Sequence, residues 1–496
     1  VRELFVCGLG LIYCIAFLSL WVQLSGLYGS EGILPVTTLM ENIELEAVIS
    51  FWDLPTVFWL GRSDLVLHFF CALGFVASIC LMLGWAPFLM TVTVWGIYLS
   101  FVSVGQVFLN YQWDALLLET GLVAFFLVPM RWGRYSRSVH LFPIAGLVTV
   151  RLLLFKLMFL SFVVKMMARN GAWTELFALD EHFQTQPIPA WTSWYAHNYL
   201  PGPVKKLGVM FALFVEGVLP FFIFGPRKFR LVACVGIALL MGLISLTGNF
   251  GFFNALTLLL CIWLIDDKIW KKILPKGWVE AHLPAESGTG PDQGNSLWIR
   301  RMVWVPVVLI ISLSFIQGMS RVGYASQVPG WMNEIRRAAV PFRSINSYGL
   351  FQSMTLSRPE ILVLGSEDGE NWLTYDFSWK PDDLQQQPGL IQPHMPRLDW
   401  QMWFAALRGN CRRTGWYLGF AKQLLEGSES VDRLLQSNPF EDQNPRYIRS
   451  LLFEYRFSSV AERRTTGQWW VREELGVFCP ELTLRDGELN VVTPTL

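Results

Sequence analysis

The chain has 496 residues, of which 53% are hydrophobic and only 16% charged. Lys+Arg and Asp+Glu balance at 39 each, so no basic excess is present to hold a nucleic acid. Apolar runs crowd residues 1–320, and the rest has the mixed composition of a water-soluble domain.

Nine runs are long enough, or nearly so, to cross a hydrocarbon core of about 30 Å. They lie at 4–27, 65–83, 87–109, 115–130, 141–164, 207–225, 229–247, 252–265 and 302–318. The first is too long for a secretory h-region and lacks a small-residue cleavage site, so it reads as a signal anchor. Trp191, Trp194, Tyr195 and Tyr199, in a proline-rich loop, suit a bilayer interface. Arg131, Arg134 and Arg137 follow the fourth run, and Arg227, Lys228 and Arg230 the sixth. Lys268, Lys271, Lys272, Lys276, Arg300 and Arg301 lie between the eighth and ninth. The positive-inside rule makes that side cytoplasmic, together with the N-terminus. The region after 320 then faces the lumen or exterior. Residues 282–296, rich in Gly, Pro and small polar side chains, read as a flexible cytoplasmic loop.

Charges inside apolar runs are costly and each requires a reason. Glu119, Arg151, Lys156, Lys165 and Glu216 are such charges. One reading is interhelical ion pairing, as of Glu119 or Glu216 with Arg151 or Lys156. The other is a polar cavity with Lys156 or Lys165 as a working base. His68 reads as a satisfied core histidine. No CxxC, HExxH or Walker motif occurs, so no metal or cofactor is expected. No GxSxG elbow marks a lipase nucleophile.

Six of the eight cysteines sit in apolar runs and act as small hydrophobes. Cys411 and Cys479 lie beyond them. They form one disulfide in an oxidising compartment or stay as two separate thiols.

Residues 330–496 read as a soluble α+β domain with a small antiparallel sheet or sandwich. Glu360–Leu364 and Trp372–Trp379 flank the turn-forming "GSEDGEN", where Gly365 and Gly369 can take positive φ. "LLFEYRFSS" and "GQWWVREELGVF" supply two more strands. Between them "DWQMWFAALRG" sets Trp400, Trp403, Phe404 and Leu407 on one helical face, with Asp399 as its cap. "SVDRLLQSNPF" reads as a further helix stopped by Pro439.

Several blocks resemble the lipase maturation factor family. In the C-terminal region they are "INSYGLFQSMTLSRPEILVLGSEDGENWLTYDFSWKP", "QPHMPRLDWQMWFAAL", "PRYIRSLLFEYRF" and "GQWWVREELGVFCPEL". In the membrane half they are "YGSEGILPV", "WDALLLETG", "HFQTQPIP", "WYAHN" and "GNFGFFNALT". The resemblance implies a multi-pass, non-enzymatic, chaperone-like protein of the endoplasmic reticulum that helps homodimeric lipases reach active, secretable form. Its partners are then a lipase client and membrane lipid, and the C-terminal domain carries client contact. A bacterial source would place it in the cytoplasmic membrane instead. Arg397, Asp399, Trp400 and Trp403 are the expected client-binding residues, because arginine and aromatic residues dominate interfaces. The membrane half is also similar to the transmembrane domain of vitamin K-dependent γ-carboxylases. That similarity implies Lys165, in "VVKMMARNGAW", as a base, with Lys156, Arg151, Glu119 and Glu216 around it.

Overall fold

Long apolar runs fold as helices in lipid, because only a helix satisfies its own backbone amides there. The computed structural model describes residues 1–46, 49–133, 143–277, 304–440 and 443–492. The expected loop 282–296, with Arg134, Arg137, Arg300 and Arg301, lies outside them. In chain order the bundle contains α1 (Arg2–Trp21), α2 (Asp64–Met82), α3 (Pro87–Val104), α4 (Gln112–Ala124) and α5 (Pro143–Met166). There follow α6 (Ala178–Thr185), α7 (Gly202–Gly217), α8 (Arg227–Thr247), α9 (Phe253–Cys261) and α10 (Trp304–Arg321).

Among the described residues, six helices are long and apolar enough to cross a membrane: α1, α2, α3, α5, α8 and α10. The nine-span expectation is not confirmed at the other three runs, whose helices are shorter. The 13 residues of α4 reach only about 20 Å, and nearly all of its side chains are buried inside the bundle. Asp114 in its first turn meets Arg397 at the sheet end, and Arg131, just past it, meets Glu3 at the charged end. Helix α7 stops at Gly217 and restarts at Leu219–Phe222 around Pro220, which has no amide hydrogen to continue the ladder. Helix α9 starts after Gly251, whose φ of +56° suits glycine, and ends in a 3-10 turn at Ile262–Leu264.

One end of the bundle gathers charges. Arg131 pairs with Glu3 at 2.9 Å, Arg230 with Asp266 at 2.8 Å, and the N-terminal amine with Asp267 at 2.6 Å. The C-terminal region packs on the opposite end. His68 is satisfied on both nitrogens, by Trp21 Nε1 at 3.0 Å and Ser25 Oγ at 2.9 Å.

The C-terminal region holds one six-stranded antiparallel sheet, in the order β3-β2-β1-β4-β5-β6. The strands are β1 (Pro359–Ser366), β2 (Leu373–Phe377), β3 (Leu435–Ser437), β4 (Tyr447–Phe457), β5 (Trp470–Arg485) and β6 (Glu488–Val491). Strand β1 is buried along its whole length, as its unbroken apolar run requires of a central strand. Asp368 Oδ1 accepts from the amides of Glu370 and Asn371, both at 2.8 Å, and Gly369 takes φ +82°. This closes the β1–β2 hairpin. Gly365 stays in the strand, where a Cβ would come within 2.5 Å of Phe440. Two strands were not expected. β3 and β6 are 3 and 4 residues long, too short to show a period. The helix expected over "SVDRLLQSNPF" is only the turn Glu429–Asp432, capped by Ser428, before the chain enters β3.

Helix α11 (Arg397–Arg408) lies against β1, and α12 (Gly415–Glu426) follows it. A disulfide joins Cys411, after α11, to Cys479 in β5, with Cα atoms 5.2 Å apart. The expectation of Trp194 in a bilayer interface is corrected. It is buried with Phe183, Phe457, Trp469 and Trp470, and its Nε1 donates to Ser458 O at 2.9 Å. Trp191, Tyr195 and Tyr199 remain exposed.

Candidate functional site

The block "PHMPRLDWQMWFAAL" is the seam between the sheet and the bundle. It runs across the end of α1. Ser19 Oγ lies 2.9 Å from His394 Nδ1 and accepts from the Met395 amide at 3.0 Å. Gln23 donates to Met395 O at 2.9 Å and accepts from the Arg397 amide at 2.7 Å. Asn249 holds the preceding segment, accepting from the Ile391 amide at 2.9 Å and donating to Gly389 O at 2.9 Å.

Arg397 then enters the bundle. Its Nη1 and Nη2 bond Asp114, in the first turn of α4, at 3.0 and 2.9 Å, a two-pronged pair. Nη1 also donates to Phe108 O at 2.6 Å, and Tyr98 donates to Asp114 at 2.5 Å. Trp400 meets Trp113 edge-on at a centroid distance of 5.0 Å. Trp403 Nε1 donates to Thr185 O at 3.1 Å.

The expectation of an exposed client surface at these residues is therefore corrected. Arg397, Asp399, Trp400 and Trp403 are 0%, 2%, 4% and 8% exposed. Aromatic and arginine side chains are rich in contact area, and here that area is spent on an internal seam. Asp399 does not cap α11. Its Oδ1 accepts from the Trp379 and Lys380 amides, at 2.8 and 3.0 Å, beyond the end of β2. Phe404 and Leu407 are the exposed flank of the helix.

Asp399 makes stability depend on pH. Burial pushes its carboxyl up to about 6, against the two amides and Lys380, which pull it down. Below the ordinary value near 3.8, folded and unfolded chains both hold the proton. As pH rises to about 6 the unfolded chain releases its proton first, so stability falls across that window and then levels off. Asp399→Asn is uncharged and still accepts from both amides. It is expected to be more stable than the parent by about 1–3 kcal/mol at neutral pH, with the gap closing below about pH 4. Chemical unfolding of the purified protein across pH measures this, and a pH-independent gap would refute the assignment.

The charges inside the apolar runs pair across helices. Lys156 on α5 bonds Glu119 on α4, which also accepts from Tyr348 OH at 2.6 Å and from the Asn346 amide at 3.1 Å. Lys165, at the end of α5, bonds both oxygens of Glu216 on α7 at 2.5 and 2.6 Å, and lies 4.7 Å from the Trp173 ring centre. Arg151 joins neither pair and has no ion-pair partner among the described residues. Each pair borders a cavity of about 400 Å³. One lies between α5 and α10 beside Glu119 and Lys156, the other among α5, α6, α7 and α8 beside Lys165 and Glu216. Lys165 Nζ is engaged by both oxygens of Glu216, and Lys156 Nζ by Glu119 and by Ser314 Oγ.

Comparison with known proteins assigns the chain. The model of the lipase maturation factor transmembrane domain matches residues 1–272, and that of the lipase maturation factor C-terminal domain matches residues 344–480. The chain belongs to the lipase maturation factor family. It is similar to lipase maturation factor 2 of Homo sapiens, at 32% identity over 99% of this chain and 84% of that protein. Lipase maturation factor 2 of Mus musculus is 33% identical over the same shares. Lipase maturation factor 1 of Mus musculus is 29% identical over 98% of this chain and 87% of that protein. No solved structure matches.

The blocks that carried the resemblance to lipase maturation factors meet in space. Asp114 of "WDALLLETG" holds Arg397, and Asn249 of "GNFGFFNALT" holds the segment before it. Gln184, Gln186 and Pro187 of "HFQTQPIP" offer backbone carbonyls to the buried Arg358 beside β1. Asn198 of "WYAHN" donates to Ser458 O at 3.2 Å. Sequence reasoning missed two residues of the second cavity. His182 and Asn254 line it, each nearly buried, and among the described residues His182 Nδ1 and Asn254 Oδ1 have no hydrogen-bond partner. No motif announces them, because each lies on a different element. Burial and the nearby Lys165 ammonium push the His182 imidazolium down to about 4, so the ring is neutral at physiological pH.

Proposed function

We propose that this lipase maturation factor family member is a non-catalytic, chaperone-like membrane protein that helps a homodimeric lipase fold and assemble into active, secreted form. The observation that carries the reading is that both family domains match on one chain, which aligns over nearly its whole length with relatives named as lipase maturation factors. On this reading the chain divides into a polytopic part at 1–320 and a client-facing part at 330–496. It sits in the endoplasmic reticulum membrane, or in the cytoplasmic membrane of a bacterium. The charged end of the bundle, with the N-terminus, is cytoplasmic, and the sheet faces the lumen or exterior.

Arg397, Asp399, Trp400 and Trp403 serve the client by holding the sheet in place, while Phe404 and Leu407 on the same helix are free to touch it. The test is rescue. Cells lacking their own lipase maturation factor receive this chain together with a homodimeric lipase, and secreted lipase mass and activity are measured. Restored specific activity supports the reading. Phe404→Ser is expected to lower rescue at unchanged abundance of this protein, whereas Arg397→Ala lowers both. Good expression of the parent chain with no rescue refutes the lipase reading.

A further inference from the structure

The cavity beside Lys165 and Glu216 is built for a ligand that the client reading does not require. Its body is apolar, with Met158, Phe211, Leu240 and Ile244 among its walls. Its mouth opens between α7 and α8, where Val204, Leu243 and Leu246 both line it and stay exposed on the outer flank of the bundle. A lipid molecule can enter sideways there. At about 400 Å³ it falls within the range of small-molecule sites.

Two features define the head group. The charges that line the cavity are already neutralised, Lys165 by Glu216 at 2.5 Å and Lys205 by Asp180 at 3.6 Å. An anionic head would have to displace Glu216 from Lys165, and a cationic head would meet two ammonium groups. His182 Nδ1 and Asn254 Oδ1 are buried, lack partners among the described residues and belong to side chains lining the cavity. An unmade hydrogen bond at a buried polar atom is costly, so such atoms mark where a ligand's polar group belongs. Asn254 Oδ1 needs a donor, and a neutral imidazole nitrogen can donate or accept. A hydroxyl does both.

We infer that this cavity binds an amphiphile with an uncharged, hydroxyl-bearing head at His182 and Asn254 and an apolar body among α5, α7 and α8. A monoacylglycerol and a sterol share that chemistry. The site is independent of the lipase client, and its test needs none.

The full-length protein is purified in detergent and exposed in parallel to three diazirine probes: a monoacylglycerol, a sterol and a fatty acid. Labelled peptides are located by mass spectrometry. We expect one hydroxylated probe to label the cavity-facing residues of α5, α7 and α8, and unlabelled compound to compete it away. Whichever of the two labels identifies the source. His182→Ala or Asn254→Ala should weaken the competition constant about three- to tenfold. Ala212→Phe, which fills the cavity, should abolish labelling while leaving the thermal unfolding midpoint near that of the parent. Label confined to the outer flanks and unaffected by Ala212→Phe would overturn the inference. So would cavity labelling by the fatty acid as strong as by either hydroxylated probe.

Discussion

Arg397→Ala is expected to destabilise the folded protein by about 3–5 kcal/mol, the cost of leaving a buried charge without its partner. The charge left behind is Asp114, fully buried and paired to Arg397 through both of its oxygens. Tyr98 remains as a single donor, and Phe108 O loses its partner. Arg397→Lys should recover little, because one ammonium cannot match the two-pronged geometry. The seam should open before the sheet unfolds, since the lost bonds join the sheet's helix to α4 and the loop before it. Chemical unfolding in detergent measures the loss, and limited proteolysis locates it. Cleavage of Arg397→Ala should appear first in the segment around 389–396. An unfolding midpoint equal to the parent's would mean that the pair holds nothing together.

The second large effect is at Lys165 and Glu216. Glu216→Ala leaves Lys165 in an apolar cavity beside Trp173 and should cost about 3–5 kcal/mol by the same physics. The double variant Lys165→Met with Glu216→Leu removes both charges and replaces them with apolar volume. It is expected to fold at least as well as the parent, because buried ion pairs do not outperform well-packed apolar residues. The same double variant discriminates between functions. A structural pair predicts retained lipase rescue, whereas a catalytic base at Lys165 predicts a stable, inactive protein. Unfolding and secreted lipase activity, measured on one preparation series, separate the two.

Much of the architecture was legible one residue at a time. Six long apolar helices follow from run length and hydropathy, because a bilayer imposes one length on anything that crosses it. At 115–130 the same rule does not decide the matter. A helix buried inside a bundle looks as apolar as a lipid-facing one, and only its neighbours reveal that α4 is buried. Strands β1, β2, β4 and β5 were visible as β-rich runs next to turn chemistry, whereas β3 and β6 exist because an edge was available to pair with. For the ion pairs, the chain showed which charges needed partners and left the choice open. Glu119 took Lys156, but Glu216 took Lys165, and Arg151 took neither.

By itself, then, the sequence determined the family, the two-part plan of membrane bundle and sheet, and the set of polar residues that burial would make costly. These depend on local composition and on blocks of consecutive residues. Tertiary structure alone decided that "PRLDWQMW" is a seam rather than a surface. The partners of Arg397 are Phe108 and Asp114, nearly three hundred positions earlier in the chain, and aromatic and arginine side chains suit an interface and a core equally well. It also decided that His182 and Asn254 share a cavity, because two isolated polar residues acquire a common role only when the fold brings their unmade hydrogen bonds together.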